Sequence, residues 1–390
     1  MARLGDICTI QSGGTPARGN KEYWDNGDIP WVKISDFSGK YLEKTSEKIT
    51  KAGLSNSSAK IFPKGTVLYT IFATLGETCI LDIDAATNQA IAGLSLTDDS
   101  VALDYLYYYL LSKKEYVNEI GRGVAQNNIN MKILREMEIL IPSMEEQKRV
   151  TETLNKVYEL ISLRKEQLAK LDQLVKSRFI EMFGDPVTNP MGWPVYELSK
   201  HIHFLTSGSR GWAQYFTDSG EYFITIKNVK NCRITLDDVQ HIVPPDNAEA
   251  KRTKVQEGDL LISITADLGR TGVVTQEIAE HGGYINQHLT CIRLDREAVR
   301  PLYVAYYMES DAGKRQFQAK NQSAVKAGLN FNSINALRLA VPPIELQDAF
   351  IAFVEQIDKS KMAIQQSLNK LELLKKSLMQ EYFGQFKNCP

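Results

Sequence analysis

The second half of this 390-residue chain repeats the first half. With an offset of 200 residues, segment 141–184 aligns with segment 341–384 without a gap, and both end in Phe-Gly. Gln147 near the start of the first segment corresponds to Gln347 in the second. Shorter matches upstream join 31–39 to 223–231, 64–76 to 257–269 and 128–142 to 328–342. A repeat of this length predicts two similar structural units.

Each copy begins with short runs of β-branched and aromatic residues separated by Gly, Asn and Asp. Examples are the runs 31–34, 66–72, 223–226 and 260–264. Such runs predict a β-rich domain. Helices are also predicted at 104–112 and 301–310, with Tyr105, Tyr108, Tyr109, Tyr303, Tyr306 and Tyr307 packed in the core rather than stacked on bases.

Each copy ends in a segment that carries helix start and stop signals. Ser143 and Glu146 have the capping-box spacing, Pro343 suits a first helical turn, and Gly184 and Gly384 suit the ends. The signals lie about 40 residues apart, which corresponds to a helix of roughly 60 Å. The sequence therefore predicts two long helices of equal length.

Apolar residues follow a four-three alternation along both long helices, as in helices that pair along their length. Because a globular domain lies between the two helices in the chain, we expect an antiparallel coiled coil with pseudo-two-fold symmetry. Arg164, Arg178, Lys361 and Lys375 interrupt the seam; they either fix its register or drift to the surface. The predicted seam comprises Leu154, Val157, Ile161, Leu168, Leu171, Val175, Val354, Ile357, Ile364, Leu368, Leu371 and Leu378.

Composition and motifs exclude several functional classes. No apolar run reaches the length of a membrane span, and the first residues carry no export signal, so a soluble, cytoplasmic protein is expected. Phosphate-binding, dinucleotide-binding, hydrolase and metalloprotease signatures are absent from the sequence, which predicts a chain without a catalytic centre. The five cysteines are scattered, and His201 and His203 have no third ligand nearby, so neither disulfides nor a metal site are expected.

The duplicated motifs resemble those of the specificity subunit of type I restriction-modification systems. They are (I/V)P-x4-Q at 142–147 and 342–347, Lys-Ser at 176–177 and 376–377, Phe-Gly at 183–184 and 383–384, and the segments 65–76 and 258–269. The resemblance covers essentially the whole chain and implies an α+β fold. Its predicted parts are two target-recognition domains (1–142 and 195–342), two long spacer helices (143–184 and 343–384), a linker (185–194) and a tail (385–390).

The resemblance implies that each β-rich domain binds one half of a split, asymmetric double-stranded DNA target. It also implies that the helices set the gap between the halves, and that two methyltransferase subunits and further restriction subunits join the chain. S-adenosylmethionine, ATP and Mg are then expected on those partner subunits. A net charge of −1 and a pI near 6.6 are unusual for a free-standing nucleic-acid binder, unless partners supply phosphate contacts.

Polar and basic side chains in loops are the candidates for DNA contact, because arginine pairs well with guanine, and asparagine or glutamine with adenine. Gly/Ser/Asn runs are also ordinary turns, and Asn130 and Asn330 could instead brace the fold. In the first copy the candidates are Ser12, Thr15, Arg18, Lys21, Lys33, Ser35, Thr74, Asn88, Gln89, Arg122, Gln126, Asn127 and Asn128. In the second they are Ser207, Ser209, Arg210, Lys227, Asn228, Lys230, Arg270, Asn286, Gln287, His288, Lys320, Asn321, Gln322 and Lys326.

Two alternative functions remain open at this point. A bivalent protein-binding scaffold would use the helices as a rod and show no salt-dependent DNA affinity. An enzyme whose site is assembled between the repeats, without a local motif, is the other alternative.

Overall fold

The computed structural model describes residues 1–121, 128–321 and 328–384. The chain divides into two compact units. Unit 1 comprises Met1–Lys165 and Gln366–Pro390, and unit 2 comprises Glu166–Gln365. The units differ from the two sequence copies because each long helix is divided between them.

Unit 1 combines short strands with five helices of its own among its described residues. Its strands are β1 (Ala2–Arg3), β2 (Cys8–Ser12), β3 (Ile29–Val32), β4 (Tyr41–Leu42), β5 (Glu47–Ile49), β6 (Ile61–Phe62), β7 (Val67–Thr70), β8 (Thr78–Leu81), β9 (Ala85–Thr87), β10 (Ile91–Leu96) and β11 (Glu138–Ile139). Its helices are α1 (Leu4–Ile7), α2 (Lys51–Ser55), α3 (Leu103–Ser112), α4 (Lys114–Gly121) and α5 (Met131–Glu136), followed by the long helix α6 (Met144–Phe183).

Two mixed sheets organise unit 1. One has the strand order β2-β10-β7-β8-β4 and the other β5-β3-β9-β6. Strands β7, β8 and β10 carry apolar residues on both faces, because helix α3 covers one face of the first sheet and a second small core lies on the other. This double burial explains why the strands read as continuous apolar runs.

Unit 2 repeats this architecture with its own elements. Its strands are β12 (Val195–Glu197), β13 (Ile202–Ser207), β14 (Phe216–Thr217), β15 (Glu221–Ile224), β16 (Val229–Lys230), β17 (Arg233–Ile234), β18 (Gln240–Ile242), β19 (Leu260–Ser263), β20 (Thr271–Val273), β21 (Gly283–Ile285), β22 (Leu289–Leu294) and β23 (Arg338–Ala340). Its helices are α7 (Ala248–Thr253), α8 (Gln276–His281), α9 (Pro301–Glu309), α10 (Asp311–Lys320), α11 (Phe331–Asn335) and the long α12 (Ile344–Phe383). The main sheets have the orders β13-β22-β19-β20 and β14-β18-β15-β21.

The tyrosine-rich helices α3 and α9 lie in the cores of their units, as the sequence predicts. Tyr105 and Tyr303 are almost fully buried, and their hydroxyls donate to the carbonyls of Leu140 and Ala340 at 3.1 and 2.7 Å. Each buried phenol therefore has a hydrogen-bond partner, which removes the cost of burying its hydroxyl.

The long helices begin and end within a residue of the predicted bounds. The Ser143 hydroxyl accepts a hydrogen bond from the amide of Glu146 at 3.3 Å, and Gly184 has φ of +77°, the left-handed conformation of a helix C-terminal cap. The predicted α+β fold with two long helices is thus confirmed.

In each unit the helices run antiparallel. The start of α6 and the end of α12 share the core of unit 1, where Leu154 is buried near Phe383. The end of α6 and the start of α12 share the core of unit 2, where Phe179 contacts Phe350 with ring centroids 5.3 Å apart. All twelve predicted seam residues are buried or half-buried.

Ion pairs join the two helices within each unit. In unit 1 the Lys165 Nζ lies 3.1 Å from Glu372 Oε1, and in unit 2 the Lys361 Nζ lies 2.5 Å from Asp172 Oδ1. The Lys375 ammonium lies over the ring of Tyr158 at 5.5 Å. These contacts favour the interpretation that Lys361 and Lys375 fix the register of the two helices, rather than that they drift to the surface.

Gln147 and Gln347 attach each long helix to the loop before its tyrosine-rich helix. The Gln147 side chain accepts from the Ala102 amide at 2.8 Å and donates to the Ser100 and Pro142 carbonyls at 2.7 and 2.9 Å. Gln347 makes the same three contacts with Arg300, Ala298 and Pro342. Both side chains are fully buried, so the repeated glutamine has a structural role.

None of the described helices combines the length and apolar composition needed to cross a membrane.

Candidate nucleic-acid interface

Polar loops that are far apart in the sequence meet at one edge of unit 1. The amides of Gly13 and Gly14 donate to the carbonyls of Ile91 and Thr87 at 3.1 and 2.8 Å. A Cβ on Gly13 would lie 2.0 Å from the Thr87 hydroxyl oxygen, and a Cβ on Gly14 would lie 2.3 Å from Ser58, so both close approaches require glycine. The glycine-rich loop is therefore fixed against the segment that holds Asn88 and Gln89.

The hairpin between β7 and β8 joins the same edge. The amide of Ile71 donates to the carbonyl of Ala90 at 2.8 Å, and the amide of Ile129 donates to the carbonyl of Ile71 at 3.1 Å. The carbonyl of Val32, at the end of β3, accepts from the Asn88 amide at 3.2 Å. We define loop surface 1 as residues 12–18, 33–36, 71–77, 87–90 and 128–130.

Unit 2 carries an equivalent surface held by equivalent backbone bonds. The amide of Gly208 donates to the carbonyl of Leu289 at 3.1 Å. The amide of Ile264 donates to the carbonyl of His288 at 3.0 Å, and the amide of Leu329 to the carbonyl of Ile264 at 2.9 Å. We define loop surface 2 as residues 207–211, 225–230, 264–270, 286–288 and 328–330.

The two hairpins share an unusual turn. Ala73 and Ala266, at equivalent positions, have φ of +62° and +58°, a conformation that non-glycine residues seldom adopt. In both turns a hydroxyl holds the loop closed: that of Thr70 donates to the carbonyl of Thr74, and that of Ser263 to the carbonyl of Asp267. Each hydroxyl also accepts a backbone amide at 2.9 Å. These bonds hold the backbone of both hairpins in the same closed turn.

The cations of loop surface 1 are held in place by aromatic rings and one carboxylate. The Arg18 guanidinium lies 3.9 Å from the ring centroid of Trp24 and 4.6 Å from that of Trp31. Glu47 pairs with Arg18 at 2.5 Å and with Lys33 at 2.7 Å. The hydrogen bond from Lys33, with help from Arg18, keeps the pKa of Glu47 below its ordinary value. Two cations are thus oriented before any ligand binds.

Amide and hydroxyl groups of the same surface contact each other. The Thr15 hydroxyl donates to the side-chain oxygen of Gln89, and Asn88 accepts from the Ala90 amide at 3.0 Å. Of the other candidates on this surface, Ser35 and Thr74 are exposed, and Ser12 and Asn128 are half-buried. Lys21 follows the glycine-rich loop and is exposed.

Loop surface 2 has a different set of side chains. The Thr265 hydroxyl lies 2.7 Å from Nδ1 of His288, and Gln287 Nε2 lies 3.4 Å from Nε2 of the same ring. Arg270 pairs with Asp267. Arg210, Lys227 and Lys230 are exposed, whereas Ser207, Asn286 and Lys320 are half-buried.

Two candidates of unit 2 have their polar atoms engaged inside the fold. Asn228 is 2% exposed; its oxygen accepts from the amide and hydroxyl of Thr225, and its nitrogen donates to the carbonyls of Thr235 and Asp237. Ser209 is also 2% exposed and lies 3.1 Å from the Thr253 hydroxyl. We interpret both as parts of the scaffold rather than as DNA contacts, since contact would break these bonds.

The two amide-rich runs lie partly beyond the described ranges. Arg122, Gln126, Asn127, Gln322 and Lys326 lie outside the described residues, as does the predicted tail 385–390. Asn321 is exposed, and its side chain accepts from the Gly328 amide at 3.1 Å. Asn130 and Asn330 cap helices α5 and α11, accepting backbone amides at 2.9 and 2.8 Å, which supports the bracing interpretation.

Sequence reasoning missed Phe72, which lies on loop surface 1 with 39% of its surface exposed. The apolar run 66–72 predicts that Phe72 is part of a strand. In the structure β7 ends at Thr70, and Phe72 belongs to the hairpin loop. In the described part of the chain, no cluster of three His, Cys, Asp or Glu side chains is arranged to hold a metal ion.

Comparison with known proteins identifies relatives across the chain. The family model described as "Type I restriction modification DNA specificity domain" matches residues 1–173 and 208–373. The type I restriction enzyme MjaIX specificity subunit of Methanocaldococcus jannaschii is 30% identical over 59% of this chain and 57% of its own length. Matches with the first four curated relatives span between 29 and 57% of those proteins.

Two solved structures share the fold along nearly the full chain. One comes from a study of complex assembly and conformational transition of the type I R-M system, with a TM-score of 0.60 and 18% identity. The other is the type I restriction-modification S subunit of M. genitalium, with a TM-score of 0.56 and 15% identity. They cover 98% of this chain and 96 and 95% of their own chains.

Proposed function

The chain belongs to the family of type I restriction modification DNA specificity domains, and we propose that it is the non-catalytic DNA-reading subunit of a methyltransferase and endonuclease complex. Each unit binds one half of a split double-stranded target. Because the two loop surfaces carry different side chains at equivalent backbone positions, the two halves have different sequences.

The duplicated loop surface is the observation that supports this proposal most directly. Each surface gathers cations, amides and hydroxyls from separate loops onto a rigid edge. Cations bind phosphates and supply affinity, whereas amides and hydroxyls bind base edges and supply sequence preference. Two such surfaces on one chain suit a ligand that offers two sites.

The long helices act in this proposal as a spacer. Forty residues of helix extend about 60 Å, which is an upper limit on the distance between the halves. We expect half-site centres between one and two turns of DNA apart, with a turn of about 34 Å.

Partner subunits supply the chemistry. Two methyltransferase subunits dock on the helical part and hold S-adenosylmethionine, and restriction subunits hold ATP and Mg. They also contribute phosphate contacts, which agrees with the net charge of −1 of this chain.

Mapping N6-methyladenine tests the proposal directly. The chain is expressed with a candidate adenine methyltransferase in a methylation-free host, and every modified adenine is located by single-molecule sequencing. A split, asymmetric motif with a fixed gap is expected, and exchanging residues 1–140 for those of a relative should change only one half. A stable complex without methylation would favour a bivalent protein scaffold instead.

Replacing Lys33 with alanine should weaken DNA binding about equally for every sequence. Lys33 is oriented by Glu47 on loop surface 1, where its ammonium can reach a phosphate. Loss of one phosphate contact should reduce the slope of log affinity against log salt by about 1. The measurement is fluorescence anisotropy of the assembled complex across a salt series.

Lys64→Ala is the matched control for Lys33→Ala. Lys64 precedes β7 at the end opposite the hairpin, and it pairs with Asp82. Both variants remove one positive charge, so an equal loss in slope would indicate a general charge effect rather than a contact on loop surface 1.

A further inference from the structure

Phe72 places an apolar ring among the polar groups of loop surface 1. It follows β7 by two residues, and its backbone bridges to Asn128. The backbone amide of the neighbouring Ile71 is hydrogen-bonded to the carbonyl of Ala90, the residue that follows Gln89. An exposed aromatic ring in this position is not required by the core, which Ile71 already fills from the preceding position.

The ring is held by a rigid backbone. Ala73 adopts the left-handed conformation immediately after it, and the Thr70 hydroxyl accepts from the Glu77 amide at 2.9 Å. The Gly76 amide donates to the Thr70 carbonyl at 3.0 Å, which closes the hairpin below Phe72. These bonds order the backbone that carries Phe72, so binding does not have to order the hairpin itself.

The degree of exposure indicates how the ring meets DNA. A residue that inserts between base pairs must project from the surface to reach into the stack. Phe72 is 39% exposed, so more than half of its surface is covered by the protein and the remainder is open to a ligand. Such a surface suits the C5-methyl group of thymine in the major groove, which aromatic side chains contact directly.

Unit 2 has a polar group at the same backbone position. Thr265 also precedes a left-handed alanine, Ala266, and bridges to Gly328 as Phe72 bridges to Asn128. Its hydroxyl lies 2.7 Å from Nδ1 of the His288 ring. At this equivalent position, loop surface 1 thus carries an exposed aromatic ring and loop surface 2 carries a hydrogen-bonding pair.

We propose that Phe72 is a specificity-determining residue that contacts a thymine methyl group in the half-target bound by unit 1. This inference rests on the proposed DNA-reading function. It assigns the contact to one residue and one kind of base.

Substituting deoxyuridine for thymine isolates the methyl group, because it leaves every hydrogen-bonding atom of the base unchanged. Each thymine of the mapped target is replaced in turn, and binding by the assembled complex is measured by anisotropy. Burial of one methyl group corresponds to about fourfold in affinity at 25 °C. We expect one thymine in the unit 1 half to show this loss with the wild-type chain.

Phe72→Ala should bind the thymine target more weakly and lose the sensitivity to deoxyuridine at that one position. Phe72→Leu should keep much of the sensitivity, because it retains an apolar side chain of similar reach. Thr265→Ala is the matched control, and it should leave the deoxyuridine profile of the unit 1 half unchanged.

Two outcomes would overturn the inference while leaving the proposed function intact. One is a specific target whose unit 1 half contains no deoxyuridine-sensitive thymine. The other is a sensitivity that persists at full size in Phe72→Ala. Failure to find any split target would instead overturn the proposed function itself.

Discussion

Phe383→Ala is expected to destabilise unit 1 by about 3–5 kcal/mol, although the residue lies at the far end of the sequence from the strands it stabilises. The ring is 2% exposed and packs against Tyr105 and Tyr109, with centroids 5.3 and 6.3 Å away. The Phe383 carbonyl also accepts from the Lys113 ammonium at 3.3 Å. Truncation to alanine leaves a cavity that rigid neighbours on α3 cannot fill.

Hydrogen exchange measured by mass spectrometry separates the effect on each unit. Amides of β7 and β10 should exchange faster in Phe383→Ala, while those of β19 and β22 should keep their wild-type rates. Phe183→Ala should show the converse, because Phe183 packs against Tyr303 in unit 2 at 4.8 Å. Leu373→Ala is the control on the same helix; Leu373 is 69% exposed and its loss should change stability by less than about 0.5 kcal/mol. Equal exchange in both units for every variant would contradict this assignment.

The helical part of the fold follows closely from the sequence. Start signals at Ser143 and Pro343 and the stop signal at Gly184 lie within one residue of the observed ends of α6 and α12. Such signals are local, since they depend on backbone groups within one turn. The antiparallel direction of the two helices also follows from the sequence. The globular domain between them lets the chain return, so the second helix begins beside the end of the first.

The contacts made by the helix ends could not be predicted in the same way. The glycines of Phe-Gly at 183–184 and 383–384 predict helix ends, but no sequence signal predicts that both phenylalanines complete the core of a unit. Val175 and Phe179 likewise serve the core of unit 2 as well as the helix pair. A heptad pattern reports which face is apolar, but it does not report whether a helix or a sheet covers that face.

The candidate interface was predicted in part. Residue type alone identifies Asn88-Gln89 and Asn286-Gln287-His288 as candidates, and the structure places both runs beside the glycine-containing loops. Asn228 and Ser209 have the same residue types, but their polar atoms are used within the fold. Composition cannot distinguish an amide that braces a turn from one that faces solvent, because the difference lies in the neighbours that tertiary structure supplies.

A second large effect is expected for Gln347→Leu, which should destabilise unit 2 by about 3–5 kcal/mol. The substitution nearly preserves volume, so the cost arises from polar groups rather than from a cavity. It leaves the amide of Arg300 and the carbonyls of Ala298 and Pro342 without the partner that Gln347 provides. A polar group left unsatisfied away from water costs about 1–3 kcal/mol, and the half-buried contacts with Arg300 and Ala298 lie at the lower end of that range.

Urea denaturation followed by circular dichroism, combined with hydrogen exchange at the start of α9, measures this cost. Gln147→Leu should give an effect of similar size in unit 1, where α3 begins after Ala102. Lys148→Ala, next to Gln147 on α6, is the control, because its side chain is 77% exposed and makes only a long ion pair with Glu152. If Gln347→Leu were as stable as the control, the buried amide would contribute no net stability, and the repeated glutamine would need an explanation other than attachment of the helix. If instead the loss is large and confined to unit 2, the two equivalent glutamines act independently, and each fixes its own long helix to the domain that precedes it in the sequence.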